Sequence, residues 1–153
     1  MKWRKSIRLR NYNYRTDGYY FVTICTACRK PFLEQYRTEA EQVLMNLPLR
    51  FPGLRIDFYI IMPDHAHVII ILENSDASLS QIIRTYKALV TKTSGYKPFW
   101  ERNFYEHIIR NEKALCEIRK YIQENPDKEM LNFENIYRRL NATATNKLRN
   151  NES

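Results

Sequence analysis

Ile60-Ile61-Met62-Pro63-Asp64-His65-Ala66-His67-Val68-Ile69-Ile70-Ile71-Leu72 places two histidines one residue apart in an otherwise apolar run. Residues i and i+2 of an extended strand point to the same face, so both imidazoles project together. An almost unbroken apolar run is the signature of a strand inside a packed sheet. Each buried imidazole needs hydrogen-bond partners, so two on one face predict a purpose, and a divalent metal supplies one. Two imidazoles do not complete a structural zinc site, and no cysteine quartet is present to do so. Cys25-Thr26-Ala27-Cys28 has CxxC spacing but no second pair, and the odd total of three cysteines fits reduced thiols.

Outward from this stretch, turn signals divide the chain into short elements. Tyr19 to Thr26 is rich in aromatic and β-branched residues and predicts the first strand, after an Asp17-Gly18 turn. Ala40, Val43, Leu44 and Leu47 predict a helix from about Glu39 to Leu49, ended by Phe51-Pro52-Gly53. Leu54–Ile61 and His67–Leu72 read as two strands joined or bent at Met62-Pro63-Asp64, since proline cannot donate to a central ladder. Ser78 is a plausible N-cap for a second helix with Leu79, Ile82, Ile83, Tyr86, Leu89 and Val90 on its apolar face, stopped by Gly95. Phe104–Arg110 predicts a fourth strand, and about Asn111–Glu124 a third helix, ended by Asn125-Pro126.

The order β-α-β-β-α-β-α predicts an α+β fold, a ferredoxin-like (RRM-like) antiparallel sheet with an extra C-terminal helix. One domain is expected over residues 1–127, with a basic arm at 1–18 and a loosely held polar tail at 128–153. No apolar run approaches a membrane span, and no signal peptide follows the basic N-terminus, so a cytoplasmic protein is expected.

The 25 Lys and Arg outnumber the 17 acidic residues, for a formal charge of +8. That balance points to a polyanionic partner, most simply nucleic acid. A metal with open positions on such a domain suggests phosphoryl chemistry. There is no Ser-His-acid grouping and no Gly-rich phosphate loop; tyrosine, with 11 copies, is the abundant candidate nucleophile. On residue type alone Tyr86, Tyr105 and Tyr121 rank level.

Met62-Pro63-Asp64-His65-Ala66-His67-Val68-Ile69-Ile70, followed by Tyr121-Ile122-Gln123-Glu124-Asn125-Pro126, resembles the single-tyrosine HUH transposases. Within them the chain is most similar to the REP-associated tyrosine transposases. The resemblance extends to Gly18–Thr26 and Phe99–Arg110 and covers roughly residues 8–127. It implies a metal-dependent single-strand DNA endonuclease and strand transferase that forms a 5′-phosphotyrosine at palindromic repeat hairpins. Tyr121 would be the catalytic nucleophile, and His65, His67 and Asn125 the ligands of Mg²⁺ or Mn²⁺, with Glu124 a carboxylate competitor for the third place. Arg4, Lys5, Arg8 and Arg10 of the arm, with Arg84 and Lys87, would hold DNA phosphates. The partner would be single-stranded or hairpin DNA at the bacterial nucleoid, bound by a monomer or homodimer. Ala66 departs from the family, which often has a bulkier residue there; the position faces away from the imidazoles. His107 reads as structural or DNA-facing, on an edge strand.

The alternative from another class is a non-catalytic RRM-like nucleic-acid-binding module that stacks bases on Tyr20, Phe58 and Tyr59. No RNP1-like pattern supports it. A phosphodiesterase that uses water in place of tyrosine is a third reading.

Overall fold

A computed structural model describes residues 17–124, 126–127 and 133–140. Strands β1 (Gly18–Cys25), β2 (Leu54–Ile61), β3 (His65–Leu72) and β4 (Tyr105–Ile109) form one sheet in the order β2-β3-β1-β4. Every neighbouring pair is antiparallel. With helices α1 (Phe32–Gln35), α2 (Arg37–Arg50), α3 (Leu79–Ser94) and α4 (Glu112–Glu124) in sequence between and after them, this is the expected ferredoxin-like arrangement.

The apolar run from His65 to Leu72 is β3, and all eight of its residues are buried. A strand covered on both faces has no reason to alternate polar with apolar, which is why the run is continuous. It begins at His65, two residues earlier than expected. Met62 N donates to His65 O at 2.8 Å and closes the β2–β3 hairpin, with Pro63 exposed in the turn where its missing N–H costs nothing.

Alternation along β1 sorts the two cores. Tyr20, Val22 and Ile24, with Ala66, Val68, Ile70 and Leu72 of β3, meet Leu44 and Leu47 of α2 and Ile82, Ile83, Tyr86 and Val90 of α3. Phe21 and Ile69 face the other way, against Leu115, Ile118 and Ile122 of α4. Thr23, opposite His67, shares their side of the sheet. Helix α3 has the predicted Ser78 N-cap, which also pairs reciprocally with Gln81 as a capping box, and the predicted stop at Gly95, left-handed at φ 73°. Its apolar stripe runs through Leu79, Ile82, Ile83, Tyr86 and Val90, all buried.

One expectation needs correction, and two short elements are new. Residues 128–153 are not simply a polar tail, because 133–140 form a further helix, α5, that buries Phe133, Ile136 and Tyr137 in the second core. Phe133, Ile136, Tyr137 and Leu140 stand at helical spacing and present one apolar edge. The short helix α1 and a 3₁₀ turn at Ala27–Arg29 were also not anticipated; at three or four residues they are too short for periodicity to register.

With α2 and α3 on one face and α4 and α5 on the other, the sheet has no open side for stacked bases among the described residues. Tyr20, one of the aromatics the RRM-like reading needs, is fully buried. No helix among the described residues is long and apolar enough to cross a membrane.

Candidate active site on the second sheet face

His65 and His67 stand side by side at the start of β3, ring centroids 4.9 Å apart and inclined at 72°. They are 2% and 0% exposed. Each ring is oriented through Nδ1. His67 Nδ1 shares a 2.9 Å hydrogen bond with Thr23 Oγ1, its direct cross-strand neighbour on β1. His65 Nδ1 lies 2.8 Å from the Asp64 carboxylate. Phe21 stacks on His67 with centroids 5.4 Å apart. For Asp64, burial opposes ionisation, but the hydrogen bond and charge of His65, then the Arg29 guanidinium, outweigh it and hold the carboxyl below its usual range. Histidines that bind metals are characteristically fixed this way, one ring nitrogen on a carboxylate or other oxygen and the second facing the ion.

The second face also carries the candidate nucleophile. Tyr121 lies on α4, half-buried and packed against the cluster that includes Phe21 and Ile69. Burial separates Tyr86 from it, but not Tyr105. Tyr86 is 1% exposed in the first core, donates to Ala40 O at 3.1 Å, and is pushed well above the usual phenol range by desolvation. Tyr105 is half-buried on β4 and packs edge-on against Phe21 at 6.4 Å. Just beyond α4 the chain returns to the histidines, where the carbonyl oxygen of Pro126 lies 2.8 Å from His65 Nε2.

Asn125, expected as third ligand, lies outside the described residues. Glu124 is exposed at the end of α4. Among the described residues no third His, Cys, Asp or Glu side chain joins the histidine pair in a metal-holding group. The donor set fits part of a cation site: two imidazoles side by side with Nδ1 engaged, although His65 Nε2 here donates to the Pro126 carbonyl and must give up that bond before it can ligate an ion. Imidazole and carbonyl oxygen are both ligand types that Mn²⁺ accepts, and oxygen suits Mg²⁺.

The expected DNA contacts are distributed differently. Arg4, Lys5, Arg8 and Arg10 lie outside the described residues. Arg84 is exposed on α3, which packs on the sheet face opposite the histidines. Lys87, also on α3, directs its ammonium to the carbonyls of Glu101, Arg102 and Asn103 at 2.8, 3.4 and 3.2 Å, anchoring that loop. His107 is on the edge strand as expected, yet lies opposite Phe21 of central β1 and stacks on Phe133 at 3.6 Å, with Tyr137 Oη 3.3 Å from its Nε2.

Sequence reasoning missed Thr23, Asp64 and the Pro126 carbonyl. An acid immediately before a histidine was the available signal for Asp64. Thr23, 44 positions from His67, emerges only once strand register is known.

No family model matches the chain. An uncharacterized protein of Haemophilus influenzae is 37% identical over 158 aligned positions, covering 80% of this chain and 88% of that protein. A REP-associated tyrosine transposase of Escherichia coli K12 is 30% identical over 118 positions, covering 75% of this chain and 70% of that one. Among solved structures, that of a REP-associated tyrosine transposase bound to a REP hairpin matches with a TM-score of 0.68 and 27% identity, over 79% of this chain and 73% of that chain.

Proposed function

Since the chain belongs to the REP-associated tyrosine transposases, we propose that it cleaves and rejoins single-stranded DNA beside palindromic hairpins, with the Tyr121 hydroxyl as nucleophile. The observation that carries this reading is the shared sheet face: His65, His67 and the helix bearing Tyr121 lie together, and the chain just past that helix touches His65. The relative of known structure is bound to a REP hairpin, and the formal charge of +8 suits a DNA partner. Exposed Arg84, with the basic arm ahead of β1, supplies phosphate contacts that position the hairpin without reading its bases.

In the forward step Tyr121 Oη bonds to a DNA phosphorus and the P–O3′ bond breaks. The Tyr121 hydroxyl gives up its proton and the leaving 3′ oxygen takes one, so the step is proton-neutral and the 5′ side remains as a phosphotyrosine. Attack by another 3′-OH reverses the step and joins new ends. The diester bond energy is retained in the covalent intermediate, so no nucleotide cofactor is consumed. His65 and His67 would hold Mg²⁺ or Mn²⁺ through Nε2, the ion displacing the bond from His65 Nε2 to the Pro126 carbonyl, with Asn125 as a further ligand. When bound, that cation polarises a non-bridging phosphate oxygen and offsets the charge of the transition state. Asp64 and Thr23 keep the rings turned for this task.

The test is cleavage of a hairpin oligonucleotide with single-stranded flanks in Mg²⁺ or Mn²⁺, read on a denaturing gel. Wild type should leave a protein–DNA adduct, and Tyr121→Phe should give neither adduct nor cut strand. Cleavage by Tyr121→Phe at the wild-type rate would overturn the assignment. Cleavage without an adduct would favour the water-using phosphodiesterase.

A further inference from the structure

The sheet face that carries the histidines meets α4 through an apolar stripe of Ala114, Leu115, Ile118 and Ile122. Such a stripe fixes the distance of a helix from a sheet but resists rolling about the helix axis only weakly, because dispersion contacts have no direction. A polar contact from α4 to the sheet does have direction. Arg119 on α4 meets Asp57 of β2 through both carboxylate oxygens, with Nε on Oδ2 at 2.8 Å and Nη2 on Oδ1. Asp57 is available because the β2–β3 register shifts between Ile56 and Phe58, leaving Asp57 as the extra residue of a bulge. Its side chain is 11% exposed and that of Arg119 38%, so the pair is partly shielded from water.

We propose that Asp57 and Arg119 are positioning residues, a clamp that sets the roll of α4 and with it the placement of Tyr121. The inference rests on the reading of Tyr121 as nucleophile. With about 100° per residue and Ile118 at the middle of the stripe, Tyr121 falls about 60° to one side and Arg119 about 100° to the other. Any roll that pulls Arg119 off Asp57 therefore turns Tyr121 inward or outward by the same angle. A Cα sits about 2.3 Å from the axis and a tyrosine reaches roughly 6.5 Å further, so a 20° roll carries the hydroxyl about 3 Å. A misplacement of about 1 Å can already slow an in-line reaction on the order of 100-fold. The guanidinium fork matters here as well as the charge, since two parallel hydrogen bonds fix an orientation that a lysine ammonium leaves free.

The test uses the full chain with 3-fluorotyrosine at position 121, carrying Asp57→Asn or Arg119→Lys. Arg55→Gln, on the same strand as Asp57, breaks an exposed ion pair to Glu73 beyond β3 and is the control. The ¹⁹F resonance should shift or broaden in both clamp variants and stay unmoved in the control. Single-turnover cleavage should fall on the order of 10–100-fold, with hairpin and Mn²⁺ affinities within about twofold of wild type. A resonance and a cleavage rate both like wild type would overturn the clamp, as would a rate that falls only in proportion to hairpin or Mn²⁺ binding. A moved resonance with unchanged cleavage would uphold the positioning and overturn Tyr121 as nucleophile.

Discussion

Thr23→Val isolates the link between the first strand and the histidine pair. The substitution keeps the β-branched shape and removes only the hydroxyl that His67 Nδ1 meets at 2.9 Å. Both residues are buried, at 2% and 0% exposure, so water cannot readily replace the lost partner. Leaving a buried polar atom in that state costs about 1–3 kcal/mol. The added methyl returns up to about 0.8 kcal/mol of apolar burial. The net expectation is a loss of about 1–2 kcal/mol, or roughly 2–8 °C in Tm for a domain of this size. Urea unfolding followed by both circular dichroism and tryptophan fluorescence measures it, and the midpoint should fall by about 0.5–1 M with an unchanged slope. Thr23→Ser, which keeps the oxygen, should lose only the methyl contribution of about 0.8 kcal/mol. Under the proposed function, Mn²⁺ affinity should also drop about 10–100-fold in the valine variant and stay near wild type in the serine one. Valine and serine variants of equal stability and equal Mn²⁺ affinity would refute the role given to the hydroxyl.

Tyr86→Phe should cost about 0.5–1.5 kcal/mol at pH 7, where it removes the bond to Ala40 O. Burial raises the folded-state pKa of Tyr86, so its stabilising contribution is complete below the ordinary phenol range and is lost as pH rises above about 10. Urea midpoints of the two proteins should therefore converge between pH 9 and 11, and a constant gap would count against the assignment. Phe133→Ala should abolish amide-exchange protection over 133–140 and lower global stability by about 2–4 kcal/mol. That is less than a fully enclosed Phe loses, because α5 can undock locally; unchanged exchange there would mean that α5 does not depend on this ring. In thiol labelling at pH 8, exposed Cys28 and Cys116 should react at least about tenfold faster than half-buried Cys25. Burial pushes the Cys25 thiol up against the opposing pull of Arg29, so its rate should still climb above pH 9.

The strands and α3 were legible because each rests on local physics: β-branched runs, a proline at the hairpin, an N-cap serine and a left-handed glycine. Helix α5 was equally present in the spacing of Phe133, Ile136, Tyr137 and Leu140. The polar run beyond it, Asn141-Ala142-Thr143-Ala144-Thr145-Asn146, dominated the composition of the segment and hid the stripe. At the site, the histidine pair could be read because i and i+2 share a strand face. What surrounds it could not. Thr23 depends on register across 44 residues and Arg119–Asp57 on a bulge and a separation of 62. The Pro126 contact is made by a main-chain oxygen, which no residue letter announces.

The two faces of the sheet also close at different times as the chain is made. Everything that covers the first face precedes β4, so that core can form once residue 109 has left the ribosome. The histidine face waits for α4 and α5, and the 31 residues from 110 to 140 take about 2–6 s to synthesise. Until then the two imidazoles have no helix over them and lack Tyr121. A chain that stalls or is clipped after β4 would hold a folded half-core and, under the proposed function, lack the helix that carries the nucleophile. Under the proposed function, the order of elements along the chain thus delays the cutting activity until α4 and α5 have been made.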